Sequence, residues 1–457
     1  VSNKEFKDSS VVLSKQLKVL ELFAGVGGFR LGLDRVHGQP YKVVLSNQFE
    51  PAKKKQDASD VYVARWGGEN HINRDIFSVL ASAEGQQAVR DAAPDVLVGG
   101  FPCQDYSVAK PLALSKGLAG TKGALWWSIA QLLGQRLDDG APIPYIILEN
   151  VDRLIASPAK CRGSDFATVL STLNGLGYAV EWRIVNAADF GFPQKRRRVF
   201  LLGYHRSTPL YEMMKRALER EGIAWHRDGV LQTAFPSVLV QPLDASLPAL
   251  SVSDEPLATQ IAYRALSNGK SRFCNSGLML DGQVWTAKTR VTAISDYRPF
   301  TGNSAPMTLG DVVRKTVGVP EQFLVPSDSE PRWEAAKAAK RVPRQKDGFA
   351  YEYAEGQMPF PDRLGAPART IITSEGGATP TRTKHVVACG SGRLRRLLPE
   401  ELEELCGFPR GFTAHPGVSD TARAFLTGNA LVVGLVTRIG DALFKRHVRA
   451  SVPVETA

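Results

Sequence analysis

Glu21-Leu22-Phe23-Ala24-Gly25-Val26-Gly27-Gly28 is the stretch on which the reading of this chain turns. The dense apolar run Gln16 to Leu22 predicts a strand entering it, and Phe29 to Val36 predicts a helix leaving it. Glycines between a strand and a helix let the backbone turn sharply and let a ligand approach closely. The stretch lacks GxGxxG spacing, so taken alone it serves equally well as a tight strand–helix connection.

The same rhythm continues outward from this turn. Lys42 to Asn47 predicts a second strand and Glu50 to Ala64 a polar-faced helix. Asp95 to Gly99 and Tyr145 to Leu148 predict two buried strands around a helix, Ala124 to Leu137. Phe166 to Leu176, Ala179 to Val185 and Arg198 to Gly203 extend the alternation. Such alternation predicts an α/β, doubly wound, mostly parallel sheet of the Rossmann-like kind, with ligands outside the carboxyl ends of its strands. From Arg206 to Gly390 the rhythm breaks and Pro and Gly become frequent. Arg393 to Val448 reads as helical again. The expected organisation is residues 1–205 as the first part of a catalytic, cofactor-binding domain, and 206–391 as a smaller irregular domain. Helices within 392–457 then return to the first part.

With 457 residues, 43% hydrophobic and 23% charged, the chain is too apolar for wholesale disorder. No apolar run approaches the roughly 20 residues of a spanning helix. Val1 to Ser10 is polar and lacks the apolar core of a secretion signal. Five widely spaced cysteines without a CxxC or a Cys/His cluster exclude a disulfide framework and a structural zinc site, and no metal site is expected. A cytoplasmic protein without a membrane partner is the expectation. The net charge of +11 fits a polyanionic partner. In Pro331 to Asp347 six basic residues face two acidic ones, which describes a solvated surface or a phosphate-contacting one.

Chemistry appears where the strands end. Gly99-Gly100-Phe101-Pro102-Cys103-Gln104-Asp105-Tyr106-Ser107 brings a cysteine to the end of one strand. A lone cysteine is usually a buried apolar thiol. Here the next strand ends in Glu149-Asn150-Val151, so a carboxyl group points at the same edge and the thiol has a partner for nucleophilic chemistry. Gln194, Arg196 and Arg198 in Gln194-Lys195-Arg196-Arg197-Arg198 alternate, and would share one face of an extended segment.

In order and spacing these blocks resemble the DNA cytosine-5 methyltransferase family. The resemblance rests on Phe23 to Gly28, Gly100-Phe101-Pro102-Cys103-Gln104, Glu149-Asn150-Val151 and the Gln194 to Arg198 block. Arg395-Arg396-Leu397-Leu398-Pro399-Glu400-Glu401 with Gly407-Phe408-Pro409, and Gly428-Asn429-Ala430-Leu431, complete it. It covers residues 16–205 and 393–445. Gln48 stands where the family usually has Glu.

The resemblance implies S-adenosylmethionine as cofactor and double-stranded DNA as substrate. Cofactor contacts fall on Glu21, Phe23, Ala24, Gly25, Gly27, Gly28, Gln48, Phe49, Asp75, Ile76, Pro102 and Asn429. Phe23 and Phe49 would flank the adenine, Gln48 would hold the ribose and Asp75 the adenine amino group. The Cys103 thiolate would add to carbon 6 of a flipped cytosine, making carbon 5 nucleophilic, with Glu149 at ring N3. Arg198 would hold the cytosine O2, and Arg196 would support the Cys103 loop. Gln104, Ser107, Gln194, Arg382 and Lys384 are the expected DNA contacts, with His385 beside them. A bacterial enzyme acting as a monomer on nucleoid DNA is implied. Its expected companions are a cognate restriction endonuclease or other phage-defence proteins acting on the same DNA. The rivals are an RNA cytosine-5 methyltransferase and a non-catalytic nucleic-acid-binding regulator on the same scaffold.

Overall fold

Strands β1 (Leu17–Leu22), β2 (Tyr41–Asn47), β3 (His71–Ile72), β4 (Val96–Gly100) and β5 (Tyr145–Val151) run parallel, side by side as β3-β2-β1-β4-β5. The computed structural model describes residues 16–101, 125–158, 160–221, 224–241, 248–266, 268–346, 349–390 and 392–451. Strands covered on both faces are apolar throughout. Val19, Leu20 and Leu22 of β1, and Val96, Leu97 and Val98 of β4, are all completely buried. Strand order reverses at β1, which has β2 on one side and β4 on the other. That reversal opens a crevice at the carboxyl ends.

Past β5 the sheet changes character. β7 (Arg197–His205) pairs antiparallel with β5, and β6 (Tyr178–Asn186) pairs antiparallel with β7. The connection 187–196 is shorter than the dozen or so residues a parallel crossover needs, so the chain reverses instead. Three further strands follow: β8 (Leu250–Ser251), β9 (Ser276–Leu280) and β10 (Gln283–Ala287). The order across this half is β5-β7-β6-β9-β10-β8, and the whole sheet has ten strands. The expected mostly parallel sheet is therefore corrected: only β1 to β5 form a parallel block. The expected boundary at 206 is corrected too, because residues 250–287 extend the same sheet. The smaller irregular part lies beyond them.

Helix Glu50 to Ala64 is also shorter than expected and runs Asp57–Trp66. Gln56 closes a turn before it by donating to the carbonyls of Glu50 and Lys53. At the other end of the chain, helix Val433–Ser451 lies along helix Gly28–Asp34. Gly32 makes that approach possible, since a Cβ there would sit 2.6 Å from Val436. Thr437 Oγ1 donates to the Gly32 carbonyl at 2.8 Å, and the Tyr41 hydroxyl to that of Gly440 at 2.7 Å. Contrary to the sequence expectation, Asp420–Ser451 contains 18 consecutive residues apolar enough to pass for a membrane span, but 61% of those are buried inside the fold. Val433, Leu435, Val436 and Ile439 are core residues.

Candidate active site

One wall of the crevice is the glycine-rich turn after β1. Phe23 and Gly25 take positive φ values, 54° and 55°, and Gly27 takes 84°. For Phe23 this is a strained conformation of the kind that concentrates at functional sites. The turn is pinned from β2: the Gly25 N–H donates to Gln48 Oε1 at 2.8 Å, and the Ala24 N–H to the Asn47 carbonyl at 3.0 Å. A Cβ on Gly25 would meet no atom within 4 Å, so the backbone there faces open space. Gly27 faces the opposite constraint, since its Cβ would strike Trp66. Asn47 donates to the carbonyls of Ile72 and Arg74 at 3.0 and 2.9 Å, which holds the segment leading to Asp75. Asp75 Oδ1 caps helix Ile76–Ala81 by accepting from the N–H groups of Phe77 and Ser78.

The second wall is built from β4, β5 and β7. Because β7 runs antiparallel to β5, its first residues lie at the carboxyl end of β5, with Arg198 opposite Val151. Glu149 is two residues back on that same face. Arg198 Nε lies 2.6 Å from Glu149 Oε1, with both side chains mostly buried. Gly100, the residue of β4 registered with Glu149, leaves room for the carboxylate: a Cβ would lie 3.2 Å from Oε2. Asn150 turns to the β4 side and donates to the Phe101 carbonyl at 2.7 Å. The chain leading to Pro102 and Cys103 is thereby tied to the strand that presents the acid. Pro102, Cys103, Gln104 and Ser107 themselves lie outside the described residues.

A family model described as C-5 cytosine-specific DNA methylase matches residues 17–238 and 298–445. The chain belongs to this family. It is 38% identical over 434 residues to the Type II methyltransferase M.Sau3AI of Staphylococcus aureus, covering 94% of this chain and 96% of that protein. To M.HgiBI of Herpetosiphon aurantiacus it is 26% identical over 465 residues, covering 94% and 97%. A solved structure of Spodoptera frugiperda DNMT2 shares the fold, with a TM-score of 0.55 at 14% identity over 94% of this chain and all of that one. The methyltransferase transfers a methyl group from S-adenosylmethionine to carbon 5 of cytosine in DNA.

The crevice fits the cofactor. Open space above Gly25 leaves room for a bound group. Gln48 has its Oε1 committed to Gly25, while its Nε2 has no partner among the described residues and would be free to donate to a ligand hydroxyl. Phe49 is half-buried beside it and Asn429, at the end of helix Asp420–Asn429, is exposed. Ala24 and Gly28 are buried in the turn, and Ile76 packs into the core. Replacing Gln48 with Leu removes the acceptor of the Gly25 N–H and leaves that donor unpaired. Gln48→Leu is expected to raise the Kd for S-adenosylmethionine roughly 10- to 100-fold. Isothermal titration measures it, and an unchanged Kd would dismiss the anchor.

Glu21 is a correction. It is completely buried beneath the turn and does not reach the crevice. Its carboxylate accepts from the Tyr62 hydroxyl at 3.0 Å and the Arg30 N–H at 3.3 Å. Burial pushes this carboxyl up to about 7, against smaller opposing pulls from Tyr62 and Arg30. The folded state therefore holds a proton that the unfolded chain releases near the ordinary glutamate value. Stability from this group is fully present below that value and is lost as pH rises through about 7. Glu21→Gln, neutral at every pH, is expected to exceed the wild type at pH 8 by on the order of 3 kcal/mol. At pH 4, below the ordinary glutamate value, the two should nearly coincide. Urea unfolding at both pH values checks this, and an equal gap at both would refute the charge as its source.

The Gln194 to Arg198 block does alternate as expected, with Lys195 and Arg197 exposed and Gln194 and Arg196 buried. Only Arg198 reaches the acid. Gln194 is corrected from DNA contact to internal brace: Nε2 donates to the Leu405 carbonyl and Oε1 accepts from the Ile371 N–H. Arg196 donates to the carbonyls of Ile371 at 2.8 Å and Gly428 at 3.0 Å, so it positions backbone rather than touching substrate. Lys384 is 4% exposed and donates to the carbonyls of Gly377 and Thr379. His385 is completely buried against Glu375 at 2.8 Å. Arg382 is engaged by Ala338, Gly356 and Glu355. The three expected recognition residues are thus structural: Lys384 and His385 are buried against partners five to ten residues back in the chain, and Arg382 is held by Ala338, Glu355 and Gly356. Asn47 and Asn150 are the positioning residues that sequence reasoning missed. Their signal was an amide at the end of each of two strands.

Proposed function

We propose that this methyltransferase modifies a cytosine swung out of duplex DNA at one short, defined sequence. The Cys103 thiolate adds to carbon 6, which raises electron density at carbon 5; after methyl transfer a base removes the carbon 5 proton and the thiolate leaves. The observation that carries this reading is the Glu149–Arg198 pair at 2.6 Å beside Gly100. A carboxyl group and a guanidinium held together at the mouth of β5 match the two polar edges of cytosine, N3 and O2. Asn150 ties the backbone at Phe101, two residues before the thiol, to the same point. The cofactor supplies an electrophilic methyl group. The protein supplies the nucleophile, the proton at N3 and the orientation.

In this reading the enzyme works as a monomer on bacterial DNA in the cytoplasm. It protects that DNA alongside a cognate restriction endonuclease or another defence protein acting on the same sequence. The whole-length similarity to Type II methyltransferases supports it. The test is base-resolution sequencing of 5-methylcytosine in DNA and RNA from a host that lacks cytosine methylation and expresses the chain. Marks at one short DNA motif are expected. Marks confined to RNA would overturn the duplex-DNA reading.

A further inference from the structure

Residues 340–346 and 349–355 form a two-stranded ribbon, β11 (Lys340–Lys346) against β12 (Phe349–Glu355), that pairs with no other strand among the described residues. A lone hairpin is at best marginally stable in water. Its root explains why this one stands. The Arg382 guanidinium donates to the carbonyls of Ala338, at 2.7 Å, and Gly356, and pairs with the Glu355 carboxylate at 3.2 Å. One side chain thereby grips both rails where they leave the body. Beneath it the completely buried Lys337 donates to the carbonyls of Arg382, at 3.0 Å, and Lys384. Arg369 holds the carbonyls of Thr383 and Lys384 and pairs with Asp362 at 2.9 Å.

What stands on this root has the size and charge of a groove reader. Seven residues at about 3.3 Å each give roughly 23 Å of ribbon. A two-stranded ribbon fits the major groove, about 12 Å wide. β11 carries Lys340, Arg341, Arg344 and Lys346 and no acidic residue. Arg341, Pro343 and Gln345 are exposed and alternate on one face. Arg341 and Gln345 are therefore about 13 Å apart, close to four base-pair steps. Arg meets guanine, and Gln meets adenine, by paired hydrogen bonds at the major-groove edge. Glu352 faces Arg341 at 3.1 Å across the ribbon and aims the guanidinium; both side chains are open to solvent, so the pair exchanges readily.

We infer that this ribbon enters the major groove of the substrate duplex, with Arg341 and Gln345 reading base edges and Arg382 acting as the positioning residue at its root. The inference rests on the duplex-DNA reading above and assigns its sequence recognition to a named element. The test uses the full-length enzyme on a random-sequence duplex library with methylated-site sequencing. Arg341→Ala and Gln345→Ala are each expected to relax the choice at one base pair by roughly 10- to 100-fold, with melting temperature unchanged. Arg382→Met should blur the whole motif and raise KM for DNA but not for S-adenosylmethionine. A general loss of structure would raise both, and that outcome would overturn the positioning role. An unaltered motif in Arg341→Ala and Gln345→Ala, with the same salt dependence of binding, overturns the ribbon while the duplex-DNA reading stands. A wild type that marks no defined DNA motif overturns that reading and the ribbon with it.

Discussion

Glu149→Gln is expected to lower the rate of cytosine methylation roughly 10²- to 10⁴-fold, with DNA affinity little changed. The amide fills the same space beside Gly100 and still offers an oxygen to Arg198, so the geometry at the end of β5 survives. It cannot pass a proton to N3 as the thiolate adds to carbon 6. The charge that develops on the ring is then left without its main counterpart. Cys103→Ala goes further, abolishing both turnover and the covalent complex with DNA containing 5-fluorocytosine. Glu149→Gln should still form that complex, slowly. Transfer of a radiolabelled methyl group and denaturing gels of the trapped complex separate the two defects. A near-wild-type rate for Glu149→Gln would remove this carboxyl from proton transfer.

Arg196→Met is expected to destabilise the fold by roughly 3–5 kcal/mol, from two hydrogen bonds by a charged donor and the carbonyls left unpaired. The guanidinium is 1% exposed and bridges Ile371 and Gly428, two segments separated by more than fifty residues. Burial, reinforced by nearby Arg198, pushes Arg196 down to about 10, so it remains a cation at neutral pH. Met keeps the apolar bulk and gives up every donor. Lys restores the charge but not the two-pronged reach, so Arg196→Lys should recover little of the loss. Urea unfolding measures both variants. The asymmetry between them distinguishes a fork from a point charge, and wild-type stability in Arg196→Met would dismiss the bridge.

The parts of this molecule legible in its sequence are those decided locally. Phe23 to Gly28, Glu149 and Arg198 each sit at the end or beginning of a buried strand, and an apolar run followed by polar residues marks such a place. The alternation of Gln194, Arg196 and Arg198 was also readable, because a period of two needs no knowledge of what faces it. What faces it was not readable. Gln194 and Arg196 are claimed by Ile371, Leu405 and Gly428, partners far along the chain. Arg382 and Lys384 carry the composition of a DNA-binding surface, yet one clamps a ribbon and the other is buried against the carbonyls of Gly377 and Thr379. Basic residues look alike in sequence whether they meet phosphate or carbonyl oxygen. The antiparallel half of the sheet was hidden for a related reason. β8 to β10 are short, and the pairing of β9 with β6 that joins them to the sheet is a long-range event that no local pattern announces.

The two ends of the ten-stranded sheet have a consequence for crowding. A long sheet offers unpaired N–H and C=O groups along each outer strand, a template on which a second molecule can add. Here both outer strands, β3 and β8, are only two residues long. Neither gives a neighbour a run of backbone worth pairing with. For a basic protein gathered at high density along a polyanion, such short outer strands leave little template for edge-to-edge addition.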